Sequence, residues 1–307
     1  YVEQGPYPYT EPLSWPMKSG VTLRGEDKTT TILSGAQDHR ILEIGQNTQE
    51  GLNTQGSYDL GEIYYDDNNN GFKDSGEIYE EIYDNQNNPT IENLTFTLGT
   101  QEGSGGAMLI IRTVNLTIDN IDVKNNDAFG SGSMGGGMYI DYHSDVHISN
   151  STFADNYAGR TASAGGGGAI YAGSSSLYLT RCLFYDNVVE GTVGMSVYVR
   201  RTGAAYNNPY LWIDHSTFAN HPGLYGLYVN SSTENANATV NIHNSIFSNT
   251  IYKLQDNVYL SNVSYTYNNN DNAALSGGTN ISADPNLADD YSLAWPSLSI
   301  NTSNPDD

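Results

Sequence analysis

The stretch Val146-His147-Ile148-Ser149-Asn150-Ser151-Thr152-Phe153-Ala154-Asp155-Asn156 sets an apolar residue at offsets 0 and 2, a large apolar residue at 7 and an asparagine at 10. The same offsets recur at Leu116/Ile118/Val123/Asn126, Leu177/Leu179/Phe184/Asn187 and Val258/Leu260/Tyr265/Asn268. Leu211/Ile213/Phe218 and Val240/Ile242/Phe247 keep the first three, with Asn220 and Asn249 arriving one residue early, and Ile91/Phe96 fit a degenerate earlier copy. Starts at 116, 146, 177, 211 and 240 are 30, 31, 34 and 29 residues apart; the copy at 258 follows after 18 and implies either an abbreviated last coil or a partly fortuitous match. A period near thirty with fixed internal offsets reads as a solenoid, in which a coil buries its apolar face by stacking on its neighbours.

A second short strand precedes the main copies: Leu109-Ile110-Ile111, Met138-Tyr139-Ile140, Ile170-Tyr171-Ala172, Val197-Tyr198-Val199 and Leu227-Tyr228-Val229. Glycine runs such as Gly135-Gly136-Gly137 supply corners where positive φ is needed. Stacked coils sit about 4.8 Å apart, so each offset becomes a column along the axis. Val123, Phe153, Phe184, Phe218, Phe247 and Tyr265 then form an internal stack, with Ser151, Cys182, Ser216 and Ser245 as a small-residue stack beside it. Cys182 is therefore expected to be a buried packing residue. Asn126, Asn156 and Asn187 form an asparagine ladder. The expected fold is all-β, a single-stranded parallel β-helix (β-solenoid) of nine or ten coils. One domain is expected over 1–307, with an insertion at about 50–88 and a closing segment at about 280–307.

Composition narrows the partners. Against 12 Lys and Arg stand 35 Asp and Glu, a net charge of −23 that repels phosphate backbones and anionic headgroups. Nucleic acid and a membrane span are not expected, and no apolar run approaches the length of a spanning helix. The single cysteine permits neither an internal disulfide nor a thiolate zinc site. High Gly (32), Tyr (24) and Asn (35) favour turns and strands over helices.

Asp66-Asp67-Asn68-Asn69-Asn70-Gly71-Phe72-Lys73-Asp74-Ser75-Gly76-Glu77 satisfies the fixed positions of the twelve-residue calcium loop. Asp66, Asn68, Asn70, Asp74 and Glu77 supply side-chain oxygens, Phe72 its carbonyl, and Gly71 the bend. Flanking Ile63, Tyr64, Ile78 and Tyr79 point to strands, not EF-hand helices, so Ca2+ is expected as a structural ion fixing an acidic insertion. Strand alternation turns Tyr139, Tyr171, Tyr198 and Tyr228 outward as one ladder and His147, Tyr178 and Trp212 as a second. Such stripes stack on sugars or are covered by another chain, or they stabilise the sheet as cross-strand ladders or lie hidden under the loop Thr202 to Pro209. Sequons at Asn93, Asn115, Asn150, Asn230, Asn237, Asn262, Asn280 and Asn301 are candidate glycosylation sites, although the repeat itself generates several of them.

These copies together resemble the right-handed parallel β-helix repeat family, which includes pectate lyases and many secreted bacterial surface proteins. The opening Gly20-Val21-Thr22-Leu23-Arg24-Gly25 is similar to its first coil, and Asp284-Pro285-Asn286-Leu287 onward to its closing segment. The resemblance implies a secreted protein, extracellular or at the cell surface. Leu211-Trp212-Ile213-Asp214-His215 resembles the Trp-Ile-Asp-His signature of pectate lyases, implying Asp214 and His215 as catalytic candidates, with Arg181, one coil earlier at the position of His215, or the pair Arg200-Arg201 as the base. Those residues also occupy the repeat rung filled by Val146 to Asn150, and the family's later Arg-x-Pro-x-x-Arg segment has no counterpart. The expected function is a non-catalytic structural or adhesive surface or filament subunit, self-associating into a homopolymer or fibre. The alternative is a calcium-dependent polysaccharide lyase or a carbohydrate-binding β-helix acting on acidic glycans.

Overall fold

Alternating apolar residues in strands of two to seven residues bury one face of each strand, and the thirty-residue return places the next strand beside it in parallel. A computed structural model describes residues 12–15, 21–45, 62–64, 79–81, 88–111, 113, 115–159, 166–190, 196–200, 209–221, 225–230, 238–248, 251–254, 260–266, 269–270 and 284–291. Three sheets of eight parallel strands each wrap one core. The first runs from Leu13–Trp15 to Ile251–Leu254, the second from Thr22–Arg24 to Leu260–Thr266 and the third from Ile32–Ser34 to Asn269–Asn270. A fourth sheet of four strands, Thr100–Glu102, Asp127–Phe129, Tyr157–Ala158 and Val188–Val189, covers part of one side. The described residues thus form eight rungs, fewer than the nine or ten expected.

The phenylalanine column is continuous. Phe153, Phe184, Phe218 and Phe247 stack at centroid distances of 4.9, 4.7 and 5.0 Å, with planes within 9° of parallel. Each is at most 1% exposed, so each ring contributes about 1.5–3 kcal/mol of burial. Tyr265 does not continue this column. A register shift pairs Val263 with Val240 and Tyr265 with Ile242 in the second sheet, and Asn270 takes the rung after Phe247. The last copy is therefore Val263/Tyr265/Asn270 at offsets 0, 2 and 7, five residues later than the pattern at 258.

Hydrogen bonds along the axis hold the corners. At the corner between second and third sheets, the backbone N–H groups of Ile121, Cys182 and Ser216 donate to the hydroxyls of Ser151, Ser216 and Ser245. Cys182 fills one rung of this series, and burial pushes its thiol up to about 12, so it packs as expected. After the third sheet, Asn126 Nδ2 donates to Asn156 Oδ1 (2.9 Å) and Asn156 Nδ2 to Asn187 Oδ1 (3.0 Å). Asn187 Nδ2 then donates to Ser196 Oγ, which lies 2.6 Å from His221 Nε2. Asn220 is not the next ladder member. It shares positive φ with Asn125, Asp155 and Asp186, each the corner residue before a ladder position, so His221 ends the ladder.

Two excursions leave this frame. Glu62–Tyr64 pairs antiparallel with Tyr79–Glu81, with Ile63 opposite Glu80 and Tyr64 opposite Tyr79. Those strands flank the calcium-loop motif, whose Asp66, Asn68, Asn70, Phe72, Asp74 and Glu77 lie outside the described residues. Near the other end, Tyr291 stacks on Tyr185 at 4.6 Å and its hydroxyl lies 3.4 Å from Asp186 Oδ2. That part of the closing segment packs on the outside of the third sheet.

The first tyrosine ladder differs from its expected state. Tyr171, Tyr198 and Tyr228 point away from the main core, yet they are 1%, 5% and 7% exposed and cluster with Tyr139, Met134 and Tyr225. Among the described residues the cover comes from the chain before Met138–Asp141 and Ile170–Gly173. Met134 bridges Gly166, and a Cβ on Gly166 would come within 2.0 Å of the Tyr198 ring, so the glycine lets backbone lie on the tyrosines. Tyr139 also donates to Asp141 Oδ2 at 2.7 Å. Tyr171, Tyr198 and Tyr228 thus form a second, covered core, with Tyr139 half-buried at its end.

Candidate functional site

The second sheet keeps its outer face open. Its inward residues, such as Ile148, Leu179, Ile213 and Ile242, are at most 1% exposed, and alternation turns their neighbours outward. Along the axis one outward column reads Thr90, Thr117, His147, Tyr178, Trp212 and Asn241. On one side of it run Asp145, Ser176, Tyr210 and Thr239, and on the other Asp119, Ser149, Thr180, Asp214 and His243. Tyr210-Leu211-Trp212-Ile213-Asp214 therefore presents a phenol, an indole and a carboxylate from one strand.

The rings divide into two arrangements. His147 and Tyr178 stack at 4.1 Å with planes 4° apart, so each covers the other and their edges face solvent. Tyr210 tilts 37° from Tyr178, and Trp212 tilts 45° from His243. Tilting frees part of a ring face, which is the surface a pyranose stacks on. Asn241 Nδ2 donates to the Tyr210 hydroxyl at 3.2 Å and holds that ring in place. Burial raises the Tyr178 phenol above its ordinary range, with smaller contributions from Asp145 and Tyr210, so it stays a neutral hydroxyl donor.

Four carboxylates line the face, Glu92, Asp119, Asp145 and Asp214, of which Glu92 is paired with Arg24. Asp119 Oδ1 accepts from Ser149 Oγ (2.6 Å) and Asn150 Nδ2 (2.7 Å), and Asp214 Oδ1 from Asn244 Nδ2 (3.1 Å). His215 Nδ1 also lies 3.0 Å from Asp214 Oδ1. His147 Nε2 stands 3.0 Å from Asp145 Oδ1, an ion-pair distance without hydrogen-bond alignment.

Arg181 and His215 occupy one corner position on successive coils, as the shared rung implied. Asn93, Asn120, Asn150, Arg181, His215 and Asn244 all have φ between 48° and 59° there, a left-handed conformation for which asparagine is well suited. The lyase-like signature thus brings Asp214 and His215 together through the corner of the repeat. Arg181 makes no ion pair among the described residues. Of the sequons, Asn93 and Asn150 sit in this corner column and Asn115 in a left-handed position before the second sheet. Asn230 ends a first-sheet strand and Asn262 lies in Leu260–Thr266, while Asn237, Asn280 and Asn301 lie outside the described residues.

Sequence reasoning missed Tyr210, His243, Asp119 and Asp145 as members of this face. The signal was present: outward positions lie one residue before the first offset and one and three residues after it, so all three columns follow from the repeat. No group of three or more His, Cys, Asp or Glu side chains suited to a metal ion occurs among the described residues. Nor does any described helix have the length and apolarity to cross a membrane.

Comparison with known proteins agrees with this architecture. A relative in Dictyostelium discoideum, the metabotropic glutamate receptor-like protein R, is 30% identical over 129 residues, which is 42% of this chain and 7% of that protein. The chain therefore matches only a small part of that relative's length. No solved structure matches the chain. The family model described as the right handed beta helix region matches residues 19–210, the stretch that supplies most of the stacked rungs. The chain belongs to the right-handed beta-helix family.

Proposed function

We propose that this chain is an extracellular adhesive β-solenoid, a non-catalytic scaffold that holds carbohydrate on the outer face of its second sheet. The observation that carries the reading is the pair Tyr210 and Trp212, which present a phenol and an indole from one strand and do not stack face to face with Tyr178 or His243. Around it lie hydroxyl and amide side chains (Ser176, Thr180, Asn241) of the type that hydrogen-bond sugar hydroxyls. An eight-rung sheet holds these groups on rigid strands, so little ordering is needed on binding.

Glycan-array screening followed by calorimetry tests this. Trp212→Ala and Tyr210→Ala should each abolish detectable binding with unchanged circular dichroism, whereas binding that survives both variants removes the reading. The same solution assayed in the ultraviolet for unsaturated uronate separates a scaffold from a lyase. Elimination needs a base at the sugar C5 proton and a cation on the carboxylate, so product lost on Arg181→Ala would replace adhesion with catalysis.

The reading extends to assembly. Unpaired strand edges at the ends of a solenoid invite end-to-end stacking, a heterologous contact that gives a homopolymer or fibre when the rotation does not close. Calcium held by Asp66, Asn68, Asn70, Phe72, Asp74 and Glu77 would stiffen the excursion beside it. Negative-stain imaging at high concentration with calcium tests the assembly, and particles that stay monomeric remove it.

A further inference from the structure

Charge on the second-sheet face bears on which sugars fit it. Asp119, Asp145 and Asp214 contribute three carboxylates to the outward columns. The one arginine within those columns, Arg24, is paired with Glu92 at the far end. Arg181 lies at the edge, on the corner. The chain as a whole carries −23, so the rest of the molecule adds to the negative field over this face.

The carboxylates are also oriented. Ser149, Asn150 and Asn244 bond to Oδ1 of Asp119 or Asp214, and His215 and His147 approach Oδ1 of Asp214 and Asp145. Oδ2 of each has no partner among the described residues. Side-chain exposures of 30% for Asp145 and 24% for Asp214 leave room for a ligand to reach them. An oriented carboxylate with one oxygen open is a strong acceptor for a sugar hydroxyl and a repulsive neighbour for a second carboxylate.

We propose, resting on the carbohydrate reading above, that this face selects uncharged glycans and rejects uronates, with Asp214 as the specificity-determining residue beside the Trp212 ring. Asp214 is two residues from Trp212 on the same face of the same strand and one rung from His243. A pyranose lying on the indole therefore brings its hydroxyls, or a C6 carboxylate, to Asp214 Oδ2. This reverses the expectation of acidic glycans drawn from family resemblance.

The test compares oligogalacturonate with its fully methyl-esterified form, which differ in charge and not in ring stereochemistry, together with cello- and N-acetylglucosamine oligomers, all at neutral pH. At least one uncharged oligomer should bind, and the free-acid form should bind about tenfold or more weaker than its ester. Asp214→Asn should narrow that gap by about fivefold, and added salt should narrow it as well. Glu190→Gln, which removes an equal charge from an exposed position outside the second sheet, should leave the gap unchanged. Free acid binding as well as or better than the ester overturns the charge inference and leaves the carbohydrate reading standing. No binding by any oligomer or array glycan overturns both.

Discussion

Protonation of His221 should weaken the solenoid as pH falls, by an amount the structure sets. The ring is 2% exposed at the end of the asparagine ladder. Ser196 Oγ accepts from Asn187 Nδ2 and lies 2.6 Å from His221 Nε2, while His221 Nδ1 has no partner among the described residues. Burial, with no charged group contributing, pushes the imidazole from 6.5 down to about 4. The unfolded chain therefore takes up a proton that the folded chain refuses. The stability at issue is fully present above 6.5, is lost as pH falls from 6.5 towards 4, and changes no further below that. At 1.36 kcal/mol per pH unit the loss totals roughly 3 kcal/mol. His221→Asn places the residue of the preceding rungs at this position and removes the titration. Urea melts of both proteins from pH 7.5 to 4 should show their stability difference shifting by about 3 kcal/mol in favour of the variant. Carboxylate titrations are common to both proteins and cancel in that difference. Parallel profiles across the window would refute the reasoning.

Phe184→Ala opens the phenylalanine column between two stacked rings and should cost about 3–5 kcal/mol in urea melts, whereas Val188→Ala, at 44% exposure, should stay within about 0.5 kcal/mol; equal effects would contradict the stack. Cys182, buried and with its thiol pushed up to about 12, should resist iodoacetamide in the native protein and react on unfolding. Cys182→Ser matches neighbouring rungs and should shift stability by less than about 1 kcal/mol. Calcium at a hundredfold excess over its dissociation constant should stabilise the chain by about 2.7 kcal/mol. The double variant Asp66→Asn, Glu77→Gln should show no such shift, and a response identical to that of the unmodified chain would place the ion elsewhere.

What could be read from sequence follows the physics of columns. Offsets 0, 2 and 7 were legible because an inward apolar residue has no alternative to the core, and Phe153, Phe184, Phe218 and Phe247 stack accordingly. Outward residues carry no such constraint. Tyr171 and Trp212 look equivalent by alternation, yet backbone at Gly166 lies over one tyrosine column, whereas the indole's face stays partly open. Coverage by a distant segment leaves no periodic mark. Asparagine serves two positions, the left-handed corner taken by Asn220 and the buried ladder taken by Asn187, and the one-residue offset of Asn220 marks the difference. His221 in the ladder could not be anticipated, because nothing in a histidine's identity announces that it replaces an amide.

The excursion after Gly45 departs from a rung that is itself undisturbed. Leu42–Ile44 pairs with the strand before and the strand after it, and Thr90–Glu92 does the same on the next sheet. Whatever lies between positions 45 and 88 thus hangs from a fixed doorway whose two posts are locked by neighbouring coils. A lineage could lengthen, shorten or exchange that appendage without re-threading the spiral, which makes the doorway a natural place for new binding specificities to be grafted and discarded.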